Sequence, residues 1–402
     1  MTEPEPLRQV DRTWVRCGKR RLSYFSGCDY FRLASHPKVL AALQAGVGRF
    51  GLNVAASRLT TGSHVLYGEL EKRLAVFFEA DAAVIVSSGY LSNLVVAQAL
   101  AGKFSHALID RESHPSLADA ARFLHCPLLE FGHRSPQDLA RAIRRCGPES
   151  KLILLTDGMF ARDGSTAPLP EYLAVLPKDA ELLVDDAHGA GTLGATGKGT
   201  LEHAQVGRRR IIQTVTLSKA FGVYGGAILG TAALRRRIFQ HSHLFAGSTP
   251  LPLPLANAAL AALDILKTDK SLRQRLADNS DYVKNALRAA GLPLPEAPGP
   301  IISIRPERAR QRARLRRRLL DAGIYPPFIK YPGGAASGYF RFVISSEHSR
   351  GQLEQLIQIL SQWSRSPAGG RVVGYIETSM DLEPRFVPAL AMIKPRKSRH
   401  AN

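Results

Sequence analysis

Lys219 lies in Leu217-Ser218-Lys219-Ala220-Phe221-Gly222, behind a short run of β type and among small residues. An amine so placed can form a Schiff base with an aldehyde cofactor, and small neighbours leave room for it. Upstream, Asp185 closes the run Leu183-Val184-Asp185 and opens Asp186-Ala187-His188-Gly189. A carboxylate at a strand end can keep a pyridine nitrogen protonated, which lets the ring act as an electron sink. Lysine and aspartate together read as a pyridoxal phosphate site. His188 shares the tight turn with Asp185, so both can reach one ligand, with Asp185 on the pyridine nitrogen and His188 on the phenolic oxygen. Taken alone, the Asp-Asp-Ala-His tetrad could equally hold a metal or cap a turn; Lys219 is what favours the cofactor.

Thr216 and Ser218 flank the lysine closely enough for a hydroxyl to reach a phosphate on the same cofactor, and Gly222, Gly225 and Gly226 keep the backbone slim. Ordinary turn chemistry would use the same residues. A second phosphate cradle is expected at Ser87-Ser88-Gly89-Tyr90-Leu91-Ser92-Asn93, where a strand gives way to a helix whose N-terminus offers unpaired N–H groups. His114, shortly after another strand end, could stack on the ring or cap the next helix.

These residues need a frame. From Tyr67 to Gly230 short apolar runs alternate with amphipathic stretches of helical length. Strands are expected at Ala82 to Ser87, His106 to Asp110, Leu128 to Phe131, Lys151 to Thr156, Glu181 to Asp185, Ile211 to Thr216 and Gly226 to Leu229. The alternation predicts an α/β fold with a mostly parallel sheet, flanking helices and ligands at the carboxyl ends of the strands. The Pro-rich stretch Ser248 to Pro254 reads as the exit from this large domain, followed by a helix over Leu255 to Leu266. Strands near Ile301 to Ile304 and Tyr339 to Ser345, with a helix carrying Leu353, Leu356, Ile357 and Leu360, predict a smaller α+β domain. The resulting division is an N-terminal segment (1–50), a large cofactor domain (51–250), a small domain (251–365) and a basic tail (366–402) expected to be partly disordered.

The 402 residues are 45% hydrophobic, enough for a sizeable core, and carry 54 Lys and Arg against 34 Asp and Glu, a net charge of +20. No apolar run approaches the roughly 18 residues of a transmembrane helix. The start of the chain lacks the blocks of a signal peptide, so the cytoplasm is the expected location and no membrane partner is expected. The four cysteines form no Cys-x-x-Cys pair, and neither a metal site nor a disulfide framework is expected. The positive field would attract polyanions. Its densest stretch, Arg305 to Arg318, holds eight arginines and one glutamate and leads into Leu319, Leu320 and Ala322 at helical spacing. That pattern favours a helix with a solvated basic face, and without interleaved aromatics it argues against a nucleic-acid surface.

From about Tyr24 to Trp363 the chain resembles the α-oxoamine synthases, fold-type I pyridoxal phosphate enzymes that condense an amino acid with an acyl thioester. The resemblance is most specific at Val184 to Gly199, Thr216 to Gly222, Ser57 to Glu71 and Thr156 to Gly164. It implies that Lys219 is the Schiff-base lysine, that Asp185 pairs with the pyridine nitrogen, that His188 bonds the ring oxygen and that His114 stacks on the ring. Gly89 and Tyr90 match the phosphate-side turn, Thr216 the hydroxyl near the phosphate, and Thr249 a threonine reaching the phosphate of the neighbouring subunit. Arg341 matches the arginine that holds the amino-acid carboxylate, a task its fork geometry suits.

The activity so implied is a decarboxylative condensation of a small amino acid, alanine favoured and glycine or serine possible, with an acyl-CoA or acyl carrier protein thioester to give an aminoketone, in a homodimer. The basic surface would help to collect either thioester. Another fold-type I reaction, such as transamination or aldol cleavage, is the nearest alternative, and a non-catalytic basic scaffold is a third. Four positions depart from the family pattern: Cys28 in place of an asparagine, Ala161 of a serine, Arg162 of an apolar residue and Tyr67 of a histidine. The departures at Cys28, Ala161 and Arg162 bear on the substrate rather than on the lysine.

Overall fold

The computed structural model describes residues 5–330 and 338–365 and the backbone of Phe386–Val387. The chain opens with a three-stranded antiparallel sheet, β1 (Leu7–Gln9), β2 (Trp14–Cys17) and β3 (Arg20–Ser23), followed by helices α1 (Pro37–Phe50) and α2 (Val65–Phe77). Then come β4 (Ala82–Val86), α3 (Gly89–Ala99), β5 (His106–Asp110), α4 (Pro115–Ala121), β6 (Leu128–Phe131), α5 (Pro136–Cys146), β7 (Leu152–Asp157) and α6 (Leu169–Val175). The large domain continues with β8 (Glu181–Asp185), α7 (Thr200–His203), β9 (Ile211–Thr216), β10 (Gly226–Gly230), α8 (Ala232–His241), α9 (His243–Gly247) and α10 (Leu253–Thr268). Beyond it lie α11 (Lys270–Ala289), β11 (Ile301–Ile304), α12 (Ala309–Asp321), β12 (Phe328–Ile329), β13 (Tyr339–Val343), α13 (Arg350–Arg365) and β14 (Phe386–Val387).

The large sheet runs β14-β6-β5-β7-β8-β9-β10-β4. Pairs from β6 to β9 are parallel, and β10 is antiparallel to both β9 and β4, so β4 points the same way as the parallel block. Every residue of β7 and β9 is buried, as expected of strands covered on both faces. Side chains alternate between the two covers: Ile153 and Leu155 join the core beneath α3, α4 and α8, whereas Leu152 and Leu154 join that beneath α5 and α6. The expected α/β architecture is observed, and the expected strand ends of the large sheet differ from those observed by no more than one residue: β4 ends at Val86, β7 spans Leu152–Asp157 and β10 ends at Gly230.

The Pro-rich stretch is followed by a helix, but α10 packs in one core with α1, α2 and the β9–β10 end of the sheet. The change of packing partner falls inside α11, where Leu272 and Leu276 face the large core and Val283 and Leu287 the small one. The small core joins α11, α12, α13 and the sheet β11-β13-β12. The first strands belong to this end too: Ser23 bridges Ile324, and Ser23 N–H donates to Gly323 O at 2.7 Å. Apart from β14, the expected tail 366–402 lies outside the described residues. Among the described residues no helix is long and apolar enough to cross a membrane.

Candidate active site

Strands β4, β5, β7, β8 and β9 deliver their carboxyl ends to one edge of the sheet, and the sequence-derived candidates lie in the turns that leave it. Lys219 is half-buried in the β9–β10 turn, which closes through Leu217 N–H to Gly225 O at 2.9 Å and Gly222 N–H to Lys219 O at 2.9 Å. Burial lowers the ammonium from its ordinary 10.5. Cys28, Asp185 and Asp157 oppose that shift, while Arg341 adds to it. A lysine poised toward its neutral amine is a nucleophile and a base.

Asp185 is buried at the end of β8, held by donors from three elements. Asn93 Nδ2 of α3 donates to its Oδ2 at 2.7 Å, Ser116 Oγ of α4 lies 3.3 Å from the same oxygen, and Ala187 N–H donates to Oδ1 at 3.1 Å. Asn93 also donates to Ser116 Oγ at 2.9 Å and accepts from Thr214 Oγ1 at 2.6 Å. Beside Asp185 in the β7–β8 register stands Asp157, whose Oδ2 accepts from His114 N–H at 2.7 Å. Burial raises the Asp157 carboxyl well above its ordinary 3.8, and the Asp185 charge raises it further.

His114 begins α4 and caps it, Nδ1 accepting from Ser116 N–H at 3.2 Å. Burial holds it below 6.5, so it is neutral near pH 7. Its edge meets the Tyr90 ring at a centroid distance of 6.1 Å. His188 is buried, and burial places it well below 6.5. Tyr30, fully buried and raised above its ordinary 10.0 by that burial, keeps its phenolic proton, and its hydroxyl lies 2.6 Å from His188 Nδ1. With Nδ1 engaged by Tyr30, Nε2 is the ring nitrogen left to meet a ligand.

At the phosphate end, Thr216 Oγ1 and Ser218 Oγ are 2.7 Å apart, and Ser218 N–H donates to Thr216 Oγ1 at 3.2 Å. Gly89 presses against them: a Cβ there would lie 2.7 Å from Thr216 Cβ. Ser88 caps α3 by accepting from Leu91 N–H at 3.2 Å, and the helix opens beside the two hydroxyls. Two hydroxyls, a side-chain-free approach and a helix N-terminus make a phosphate cradle. Tyr90 is partly exposed and donates to Asp119. Thr249 is exposed and lines a separate cleft with Arg58, Ser87 and Leu91.

Arg341 projects from β13, its Nη1 donating to Ala161 O at 3.2 Å. Its charge acts on Lys219, His114 and His188 alike, which puts a guanidinium next to the reactive lysine. The adjoining Arg162 pairs with Glu112 at 2.8 Å, and both, with Tyr339, act on Arg305. Tyr67 is fully buried, its hydroxyl donating to Leu251 O at 2.6 Å.

Asn93, Ser116, Asp157 and Tyr30 were not among the candidates read from sequence, although each lies in or beside a motif that was. The signal for Asp157 was its place at the end of a strand neighbouring β8. Asn93, Ser116 and Tyr30 act on Asp185 and His188 from distant parts of the chain, and no local spacing records such contacts.

A lysine shifted toward its neutral form, an anchored carboxylate, a buried neutral histidine and a phosphate cradle on one edge of this sheet define a fold-type I pyridoxal phosphate enzyme, and the residues fit that cofactor. A model of "Aminotransferase class I and II" matches residues 29–360. The chain belongs to that family, within its α-oxoamine synthase group. It is 36% identical over 360 residues to an 8-amino-7-oxononanoate synthase of Thioalkalivibrio sulfidiphilus, covering 88% of this chain and 91% of the relative. With 8-amino-7-oxononanoate synthase 1 of Bacillus subtilis it shares 30% over 361 residues, 89% and 92% of the two chains. Among solved structures, the Sphingomonas wittichii serine palmitoyltransferase superposes with a TM-score of 0.84 at 26% identity, covering 92% of this chain and 94% of the other. An 8-amino-7-oxononanoate synthase from Francisella tularensis gives 0.74 at 26% identity, covering 85% and 97%.

Proposed function

We propose that the protein condenses alanine with an acyl thioester, releasing carbon dioxide and the thiol and yielding an aminoketone. The observation that carries this reading is the set of Lys219 and anchored Asp185 at one strand edge with Arg341 of the small domain acting on the lysine, on a chain that matches 8-amino-7-oxononanoate synthases over most of its length. When bound, pyridoxal phosphate supplies the aldehyde for the amine and a ring that accepts the electron pair released at Cα. Asp185 holds the pyridine nitrogen, His188 Nε2–H donates to the ring oxygen, His114 covers one ring face, and Gly89, Tyr90, Thr216 and Ser218 take the phosphate. Arg341 grips the amino-acid carboxylate, and Lys219 moves the Cα proton. Thr249 serves the phosphate of a second subunit, which makes the working unit a homodimer, and the location is the cytoplasm.

Serine is a second candidate for the amino acid, favoured by the TM-score of 0.84 to a serine palmitoyltransferase against 0.74 to the Francisella synthase. Thiol release from a panel of acyl-CoA chains with alanine, serine or glycine tests both readings. Amino-group transfer to a 2-oxo acid without thiol release would overturn them. Lys219→Ala should abolish turnover and the visible band of the bound cofactor, and full activity in a monomer would refute the shared site.

A further inference from the structure

Helix α12 buries Leu315 and Leu319 and turns part of its arginine run toward a cavity of about 570 Å³ on the small domain. Arg312, Arg316 and Arg317 line one wall, and Arg20 of β3 faces them. Among the described residues Asp321 is the one acidic residue lining this cavity, so four positive charges meet a single negative one. Among the described residues none of the four arginines has a carboxylate partner, and Arg312 reaches only a backbone carbonyl, Glu307 O, at 3.4 Å. Leu320, Phe328 and Phe340 supply an apolar floor, and Phe328 is 40% exposed although its ring packs edge-on to Phe340 at 5.2 Å. The cavity is distinct from the lysine site, because Phe340 and Arg341 point to opposite faces of β13.

We propose that this cavity binds the diphosphate-bearing end of a nucleotide, with the base on Phe328 and the phosphates among Arg20, Arg312, Arg316 and Arg317. Guanidinium forks match phosphate oxygens in pairs, an exposed aromatic face stacks on a base, and the volume lies within the range of small-molecule sites. A solvated basic face accounts for the arginines but not for a concave wall of them over an exposed phenyl ring. Two sources carry this chemistry, a free nucleotide and the adenosine end of coenzyme A, the latter resting on the proposed thioester substrate.

Calorimetry on the full-length, cofactor-loaded protein should show one ADP per chain, weaker pyrophosphate binding and weaker adenosine binding still. The double variant Arg316→Gln/Arg317→Gln should weaken ADP by on the order of tenfold or more, and Phe328→Ala should reduce ADP to the level of pyrophosphate, with the cofactor's visible band unchanged in both. If the double variant raises KM for an acyl-CoA but not for an acyl-pantetheine, the nucleotide is that of coenzyme A. If neither KM moves while ADP binding is lost, it is a free nucleotide. Absence of saturable ADP binding, equal affinity for pyrophosphate and ADP, or ADP binding unchanged in the double variant would overturn the site. A change of assembly size in the double variant without ADP binding would instead give the groove to a second copy of the chain.

Discussion

Asn93 offers the sharpest test of how the site is built, because one side chain ties Asp185 to α3, α4 and β9. Its amide donates to Asp185 Oδ2 at 2.7 Å and to Ser116 Oγ at 2.9 Å, while its carbonyl accepts from Thr214 at 2.6 Å. In Asn93→Ala, Asp185 Oδ2 keeps only the 3.3 Å contact with Ser116. A hydrogen bond to a charged group contributes about 1.5–3 kcal/mol, so kcat/KM should fall roughly 10- to 150-fold and cofactor affinity should fall with it. Asn93→Asp keeps the shape but places a carboxylate 2.7 Å from Asp185. At an effective dielectric of about 20 that repulsion reaches about 6 kcal/mol, too much for both groups to be ionised. The new carboxyl must therefore take a proton, and once protonated it can donate to Asp185 as the amide did. Activity of Asn93→Asp relative to the parent should rise as pH falls, whereas that of Asn93→Ala should stay flat. Pre-steady-state thiol release and the visible spectrum, followed from about one unit below to about two units above the ordinary histidine value of about 6.5, provide the assay. An Asn93→Ala variant with parental cofactor affinity and rate, or an Asn93→Asp variant that improves with rising pH, would refute the reasoning.

Four further outcomes follow from the same geometry. His348 is buried on Phe25 with Nδ1 accepting from Ser345 N–H at 2.9 Å, and burial pulls it from 6.5 to about 3. Its folded value is depressed, so stability is lost as pH falls from 6.5 toward 3, by up to about 5 kcal/mol at 1.36 kcal/mol per pH unit; urea midpoints should track this fall, and His348→Gln should flatten it. Burial raises Asp186 from 3.8 to about 6, which gives the reverse slope, a loss of up to about 3 kcal/mol as pH climbs between those values; Asp186→Asn should remove that segment of the profile. Gly89→Ala drives a methyl to 2.7 Å from Thr216 Cβ and should cost about 1–3 kcal/mol, read as weaker cofactor retention on dialysis. Arg162→Leu breaks a partly exposed pair with Glu112, so the melting temperature should scarcely move while the preference among acyl chains changes.

The sheet was legible in the sequence because its strands are continuous apolar runs whose ends are marked by Asp, Ser or Gly, and burial on both faces leaves no other periodicity to confuse them. His106–Asp110, Leu128–Phe131 and Glu181–Asp185 begin and end where the pattern does. The gathering of Lys219, Asp185 and His188 at one edge was legible for a related reason: each sits at or just beyond a strand end, where ligands are met in parallel sheets. The packing of α10 was not. An alanine-rich helix after a Pro-rich break looks the same whether it leaves a domain or lies across it, and only its contacts with α1 and α2 decide. His114 shows a second limit, since capping α4 and facing the lysine site require the same position and the sequence cannot rank them.

Adjacent carboxylates at the end of β8 show how the fold divides labour between neighbours. Asp185 and Asp186 point to opposite sides of the strand end, as successive residues must. Asp185 is held by side chains from α3 and α4 and stays within reach of Lys219. Asp186 turns inward, where Thr200 N–H, Thr200 Oγ1 and Gln213 Nε2 donate to it at 2.8, 2.5 and 2.7 Å. Gly199 passes so close, at φ 89, that a Cβ would lie 1.9 Å from Asp186 Oδ2. The glycine-rich loop after His188 is thus wound around Asp186, and that winding fixes the turn from which His188 faces the site. Asp186→Asn keeps the acceptor for Thr200 and Gln213 on one oxygen, so it should spare the turn; Asp186→Leu removes every bond and should release His188 as well as the loop. A Leu variant that retained the parental cofactor spectrum would show that His188 is placed by Tyr30 alone.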